Sequence, residues 1–132
     1  MTERILVVDD EQPVRETLAA LLRQEGYNVV VAECGHSAAE AIEVFTFDAV
    51  IVDIFMPGMN GLETIDILRQ DAPDVPIIVM SGYAAGSGAT GTDFFRTAMD
   101  YGATCCLRKP FVREQLLDAI AFCRASKTAM VA

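Results

Sequence analysis

Ala49-Val50-Ile51-Val52-Asp53 is a run of four apolar residues, three of them β-branched, that leads straight into a carboxylate. A short apolar run without polar alternation is the pattern of a strand covered on both faces. Behind it, Met56-Pro57-Gly58-Met59-Asn60-Gly61 carries the Pro, Gly and Asn of a tight loop. Residues 62–69 then set Leu62, Ile65 and Leu68 on one helical stripe. Strand, acid, loop and helix in that order form one β–α unit, and the chain extends the alternation in both directions.

Towards the N-terminus, Ile5-Leu6-Val7-Val8 is a similar run and ends in Asp9-Asp10. Residues 13–24 carry Val14, Leu18, Leu21 and Leu22 at helical spacing. Pro13 suits the first turn of that helix, where its missing N–H is harmless, and Gly26 stops it. Residues 27–32 read as a strand and 37–45, rich in Ala and Glu, as a helix. Towards the C-terminus, Pro76 introduces a strand over 77–80 that ends at Ser81. A Gly- and Ala-rich stretch leads to a helix over 92–101. A fifth strand over 104–107 ends at Lys109-Pro110, and a last helix covers 112–124. Five short apolar strands alternating with five helices predict an α/β fold with both sheet faces covered. Right-handed crossovers then give a doubly wound five-stranded parallel sheet in the order 2-1-3-4-5, the flavodoxin-like arrangement. No repeat, low-complexity tract or linker divides the chain, so one domain is expected over 1–125 with a short loose tail over 126–132.

The composition, 52% hydrophobic and 22% charged over 132 residues, is that of a compact globular protein. A net charge of −9 argues against nucleic acid as a direct ligand, because phosphate backbones reward clustered Lys and Arg. No apolar run approaches the ~20 residues that span a bilayer. The N-terminus lacks the layout of a signal peptide, so a cytoplasmic protein without membrane contact is expected. Cys34, Cys105, Cys106 and Cys123 show no C-x-x-C spacing and read as reduced, packed thiols. Cys105 and Cys106 are adjacent on a strand and so point to opposite faces. His36 reads as a solvated residue at the mouth of the second helix, and Phe94-Phe95 as shared between core and a partner surface.

In a doubly wound sheet the functional crevice lies beyond the carboxyl ends of the strands, at the switch in strand order. That rule selects Asp9 and Asp10 after the first strand, Asp53 after the third, Ser81 after the fourth and Lys109 after the fifth. Taken alone, Asp9-Asp10 reads equally as a turn former. Three close carboxylates repel unless a cation intervenes, and oxygen-only ligands suit Mg²⁺. A Lys and a Ser beside such an ion make sense for an arriving anion, the ammonium pairing with one phosphoryl oxygen and the hydroxyl donating to another. One carboxylate is then left as a nucleophile that forms a mixed anhydride.

Asp9-Asp10, Asp53 with Met56-Pro57-Gly58-Met59-Asn60-Gly61, Ser81-Gly82 and Lys109-Pro110-Phe111 occur in order, at compatible spacing, over essentially the whole chain. In this the sequence resembles the response-regulator receiver domain of two-component phosphorelays, in its single-domain, chemotaxis-type form. The resemblance implies that Asp53 is the phosphoacceptor. It makes Asp10 a direct ligand of Mg²⁺ (or Mn²⁺), Asp9 a ligand mainly through water, and the backbone carbonyl of Phe55 a further ligand. Ser81 and Lys109 are implied as switch residues, Pro57 and Gly61 as loop formers, and Pro110 as following a cis peptide bond that aims the Lys109 side chain. The implied phosphodonor is a sensor histidine kinase or histidine phosphotransfer protein. The implied output is a downstream protein bound over helix 4, strand 5 and helix 5, with the chain a monomer or a phosphorylation-dependent dimer. Such a domain catalyses only its own phosphorylation and dephosphorylation.

Two positions depart from the family pattern. Cys106 stands where receivers usually carry an aromatic switch residue, and the stretch 84–92, with Gly86, Gly88 and Gly91, is longer than the usual connection and reads as a flexible surface insertion. Phe55 and Tyr83 flank the expected water approach to the acyl phosphate, and neither offers an amide or carboxylate to orient the water. Phe55 also argues against a haloacid-dehalogenase-type hydrolase, which needs a second Asp at that position. Asp9-Asp10-Glu11 argues against a flavin module, because those acids repel phosphate. With no effector segment after Ala132, a stand-alone domain is expected.

Overall fold

The computed structural model describes residues 3–53, 61–81 and 90–131. Its elements are β1 (Arg4–Val8), α1 (Gln12–Gln24), β2 (Asn28–Ala32), α2 (Gly35–Val44), β3 (Ala49–Asp53), α3 (Gly61–Asp71), β4 (Ile77–Ser81), α4 (Thr90–Tyr101), β5 (Cys105–Arg108) and α5 (Arg113–Val131). The sheet is parallel throughout, in the expected order β2-β1-β3-β4-β5.

Strand alternation divides the core in two. Leu6, Val8, Val50, Val52, Ile77 and Val79 face one way, over Ala38 of α2, Ile65 and Leu68 of α3 and Ala98 of α4. Ile5, Val7, Ala49, Ile51, Ile78 and Met80 face the other, over Leu18 and Leu22 of α1 and Leu116, Ile120 and Cys123 of α5. Every residue of β3 and β4 is buried, as a central strand with helices on both faces requires. Cys106 packs against the first cluster and Cys105 against the second, so the two thiols do point apart. None of the four cysteines forms a disulfide.

Helix ends explain where the sequence reading shifted. Pro13 sits in the first turn of α1, and Gly26, at φ +95°, follows its end as expected. Helix α2 begins at Gly35, two residues before the expected 37, because Cys34 acts as its N-cap. The Cys34 backbone N–H donates to Ser37 Oγ at 3.2 Å, and the Cys34 and Ser37 side chains meet at 3.5 Å. His36 therefore lies in the first turn of α2, exposed as expected. Helix α4 starts at Thr90, within the stretch read as an insertion, and α5 continues through Val131, so the expected loose tail over 126–131 is helical. Phe94 and Phe95 fall within α4, with side chains outside the described set. Among the described residues no helix is long and apolar enough to cross a membrane.

Candidate functional site

The sheet order places β1 beside β3, and Val8 pairs with Val52, so Asp9 and Asp53 stand next to each other one residue further on. This is the point where the strand order reverses, and the crevice opens there. Both carboxylates are buried, Asp9 completely. Asp10 is the most open of the three acids. One oxygen from each of Asp9, Asp10 and Asp53 lies within 4.8 Å of the others.

Lys109 follows β5 and reaches across β4 into this cluster. Its backbone N–H donates to the Ser81 carbonyl at 2.7 Å, which fixes the start of the side chain. Its Nζ stands 3.3 Å from Asp9 Oδ2 and 3.3 Å from Asp53 Oδ2. The Lys109–Pro110 bond is cis, as the family resemblance implied. Burial pulls the Lys109 ammonium down, but the charges and hydrogen bonds of Asp53 and Asp9 outweigh it and leave the pKa raised. Lys109 therefore stays protonated at neutral pH.

Asp9 is held at both oxygens, since Oδ1 accepts the Glu11 N–H at 2.9 Å while Oδ2 faces Lys109. The contact two residues on is the local turn bond of an Asx motif, as the turn-former reading of Asp9 expects. No hydrogen bond or ion pair joins Asp10 to another described residue. Arg15 was missed by the sequence reading. Its Nη1 donates to the Asp9 carbonyl at 2.8 Å and ties α1 to the end of β1, a contact that follows only from how the helix packs.

Ser81 closes β4, buried, one residue beyond Met80, which pairs with Asp53. Cys106 pairs with Val79 in β5 and is half-buried towards the face covered by α2, α3 and α4. Burial pushes its thiol up to about 11, with the Cys105 charge adding to the effect. Gly61 begins α3. Phe55, Pro57 and Tyr83 lie outside the described residues.

Asp9, Asp10, Asp53 and Lys109 thus converge, as their places at strand ends require. Three carboxylates against one ammonium leave an excess of negative charge in a small pocket. Hard oxygen donors at this spacing fit a small dication such as Mg²⁺.

A family profile described as "Response regulator receiver domain" matches residues 5–121. "Response regulator MprA" of Mycolicibacterium vanbaalenii is 39% identical over 117 residues, covering 89% of this chain and 48% of that protein. The chain therefore spans about half the length of that relative. Among solved structures, a response regulator receiver domain protein from Clostridium thermocellum superposes with a TM-score of 0.86 at 26% identity, covering 97% of this chain and 98% of that one. The Vibrio cholerae chemotaxis protein CheY4 gives 0.81 at 28% identity, covering 92% and 98%. With a profile match from strand β1 into helix α5 and the carboxylate cluster at the expected strand ends, the chain belongs to the response regulator receiver domain family, the signalling switches of two-component systems.

Proposed function

We propose that Asp53 accepts a phosphoryl group from a sensor histidine kinase or a histidine phosphotransfer protein, and that the modified domain switches a protein-binding face. One observation carries this reading: Lys109 Nζ sits 3.3 Å from both Asp9 and Asp53, in a pocket whose third acid, Asp10, is the most open. An ammonium held there would pair with a phosphoryl oxygen once Asp53 carries the acyl phosphate. An Asp53 oxygen attacks phosphorus, the bond from phosphorus to the donor imidazole breaks, and the imidazole leaves with the electron pair and takes a proton. The Ser81 hydroxyl donates to a second phosphoryl oxygen.

Asp10 and Asp53 would hold Mg²⁺ or Mn²⁺ directly, with Asp9 acting through water and the Phe55 carbonyl completing the protein's share. The partners of both Asp9 oxygens support that division. When bound, the dication neutralises the acidic cluster and the charge on the incoming phosphoryl group. The domain would be cytoplasmic, bind no nucleic acid directly, catalyse only its own phosphorylation and dephosphorylation, and act as a monomer or phosphorylation-dependent dimer. Its output would run over α4, β5 and α5, where Met99, Tyr101, Val112 and Phe122 on or beside these elements are exposed.

Intact-mass measurement after incubation with acetyl phosphate and Mg²⁺ tests the reading. The parent should gain one phosphoryl group and Asp53→Asn none, and an equal gain in both would refute it. The adduct should also persist, with Phe55 and Tyr83 excluding water. Phe55→Asn with Tyr83→Glu should speed its decay about 10-fold, at the low end of what positioning a water contributes. Equal decay rates would remove these two side chains from that role.

A further inference from the structure

Arg69 lies in the last turn of α3, half-buried, and its guanidinium is committed to backbone acceptors from two segments, the link before β4 and the end of α4. Nε and Nη2 both donate to the Gly102 carbonyl, at 3.0 and 2.6 Å. Nη1 donates to the carbonyls of Val75 and, at 3.1 Å, Pro73. Nη2 also approaches the Thr104 hydroxyl at 3.5 Å, and that hydroxyl accepts the Ile77 N–H at 3.1 Å. One cation thus joins the end of α3, the start of β4, the end of α4 and the entry to β5.

Its main acceptor is a helix terminus. Gly102, at φ +116°, closes α4, with its N–H bonded to the Met99 carbonyl at 3.0 Å and the Ala103 N–H to the Ala98 carbonyl at 3.0 Å. A Cβ on Gly102 would come 2.9 Å from Arg69 Nε, so the two residues fit directly against each other. Packing alone holds this end of α4 weakly. Of residues 96–101 only Ala98 is buried, while Met99 and Tyr101 are exposed. The charge-assisted bonds from Arg69, at the negative end of the helix dipole, supply the tie.

In a parallel sheet with returning helices, the end of α4 lies by the strand starts, and its beginning lies by the strand ends where Asp53 and Lys109 sit. The two ends are about 18 Å apart for a helix of this length. We infer that Arg69 is a positioning residue that pins α4 at Gly102, so that modification of the carboxylate cluster swings the beginning of the helix about a fixed end and does not slide it along its axis. The direction of the signal rests on the function proposed for Asp53; the pin itself does not.

Amide hydrogen exchange on the intact protein tests it, with and without beryllofluoride and Mg²⁺, after the fluorine signal of bound beryllofluoride has been recorded. In the parent, amides of 98–104 should change less than about two-fold on beryllofluoride binding, while those of 90–97 change more. In Arg69→Met the 98–104 amides should exchange about 10-fold faster, as expected for losing one or two hydrogen bonds, and should now respond to beryllofluoride. Amides of β1 and β3 should keep their parent rates, and Arg69→Lys should restore part of the protection. Equal responses over 90–97 and 98–104 in the parent would overturn the inference, as would unchanged 98–104 exchange in Arg69→Met. Should Arg69→Met fail to fold, the parent responses and Arg69→Lys decide. An absent fluorine signal would count against the reading of Asp53, and exchange in Arg69→Met without beryllofluoride would then decide the pin.

Discussion

The four thiols show how one functional group takes its chemistry from its surroundings. A hydrogen bond with the Ser37 side chain, helped by the backbone N–H groups of Ser37 and His36, holds the Cys34 thiol below the ordinary value despite some burial. Burial pushes Cys105 up, Cys106 up to about 11 and Cys123 up to about 12. Iodoacetamide near pH 8 should therefore modify Cys34 first, and peptide mapping that found Cys106 or Cys123 first would contradict this order. The same shifts set a pH slope. Thiols with raised folded pKa values, and Lys109 with its raised pKa, contribute stability that is full below their unfolded values and lost as pH rises through the folded ones. The urea midpoint should fall from about pH 9 upward, and Cys106→Val should flatten that fall. At the acidic pocket, Asp10 has no counter-charge among the described residues, whereas Asp9 and Asp53 share Lys109. Asp10→Ala should raise stability by about 1 kcal/mol without metal, through lost repulsion, and abolish stabilisation by added Mg²⁺. A less stable variant that still responded to Mg²⁺ would remove Asp10 from the metal site. The pocket was legible because its residues follow apolar strands directly. Arg15 and Arg69 were not, since they bond to backbone carbonyls, which leave no mark on residue identity.

Elements were legible in their cores and less so at their ends. Strands β1, β3 and β4 each hold four consecutive apolar residues, the pattern of a strand buried on both faces. The start of α2 was missed because a cysteine rarely caps a helix, and the end of α5 because residues 126–131 lack the apolar periodicity that marks a packed helix. Two helices, α1 and α4, end on glycines with positive φ, Gly26 and Gly102. A Cβ on Gly26 would meet nothing within 4 Å, while one on Gly102 would press on Arg69. Gly26→Ala should therefore cost about 1–2 kcal/mol from backbone strain alone, and Gly102→Ala more. Equal costs in urea titration would show that Arg69 yields freely. Leu116→Ala, which empties a fully buried site where α5 meets the sheet, should cost about 2–5 kcal/mol by the same measurement.

At the scale of the molecule, strand order was the strongest inference, because right-handed crossovers leave few ways to wind five β–α units. That order alone brings Asp9, Asp53 and Lys109, far apart in sequence, to within salt-bridge distance. The two sheet faces divide the work. Helices α1 and α5 cover one, and α2, α3 and α4 the other, against which Cys106 packs. A phosphoryl mimic such as beryllofluoride should accordingly shift amides of α4 and of the segment before it, and changes confined to α1 and α2 would contradict an output through α4, β5 and α5. The central claim, that Asp53 is the acceptor, is tested most directly by locating the modified atom. After acetyl phosphate and Mg²⁺, borohydride reduces an acyl phosphate to an alcohol, and tandem mass spectrometry of the resulting peptides reads its position. The account predicts homoserine at position 53 and intact carboxylates at 9 and 10. Homoserine at 9 or 10, with Asp53 intact, would contradict it.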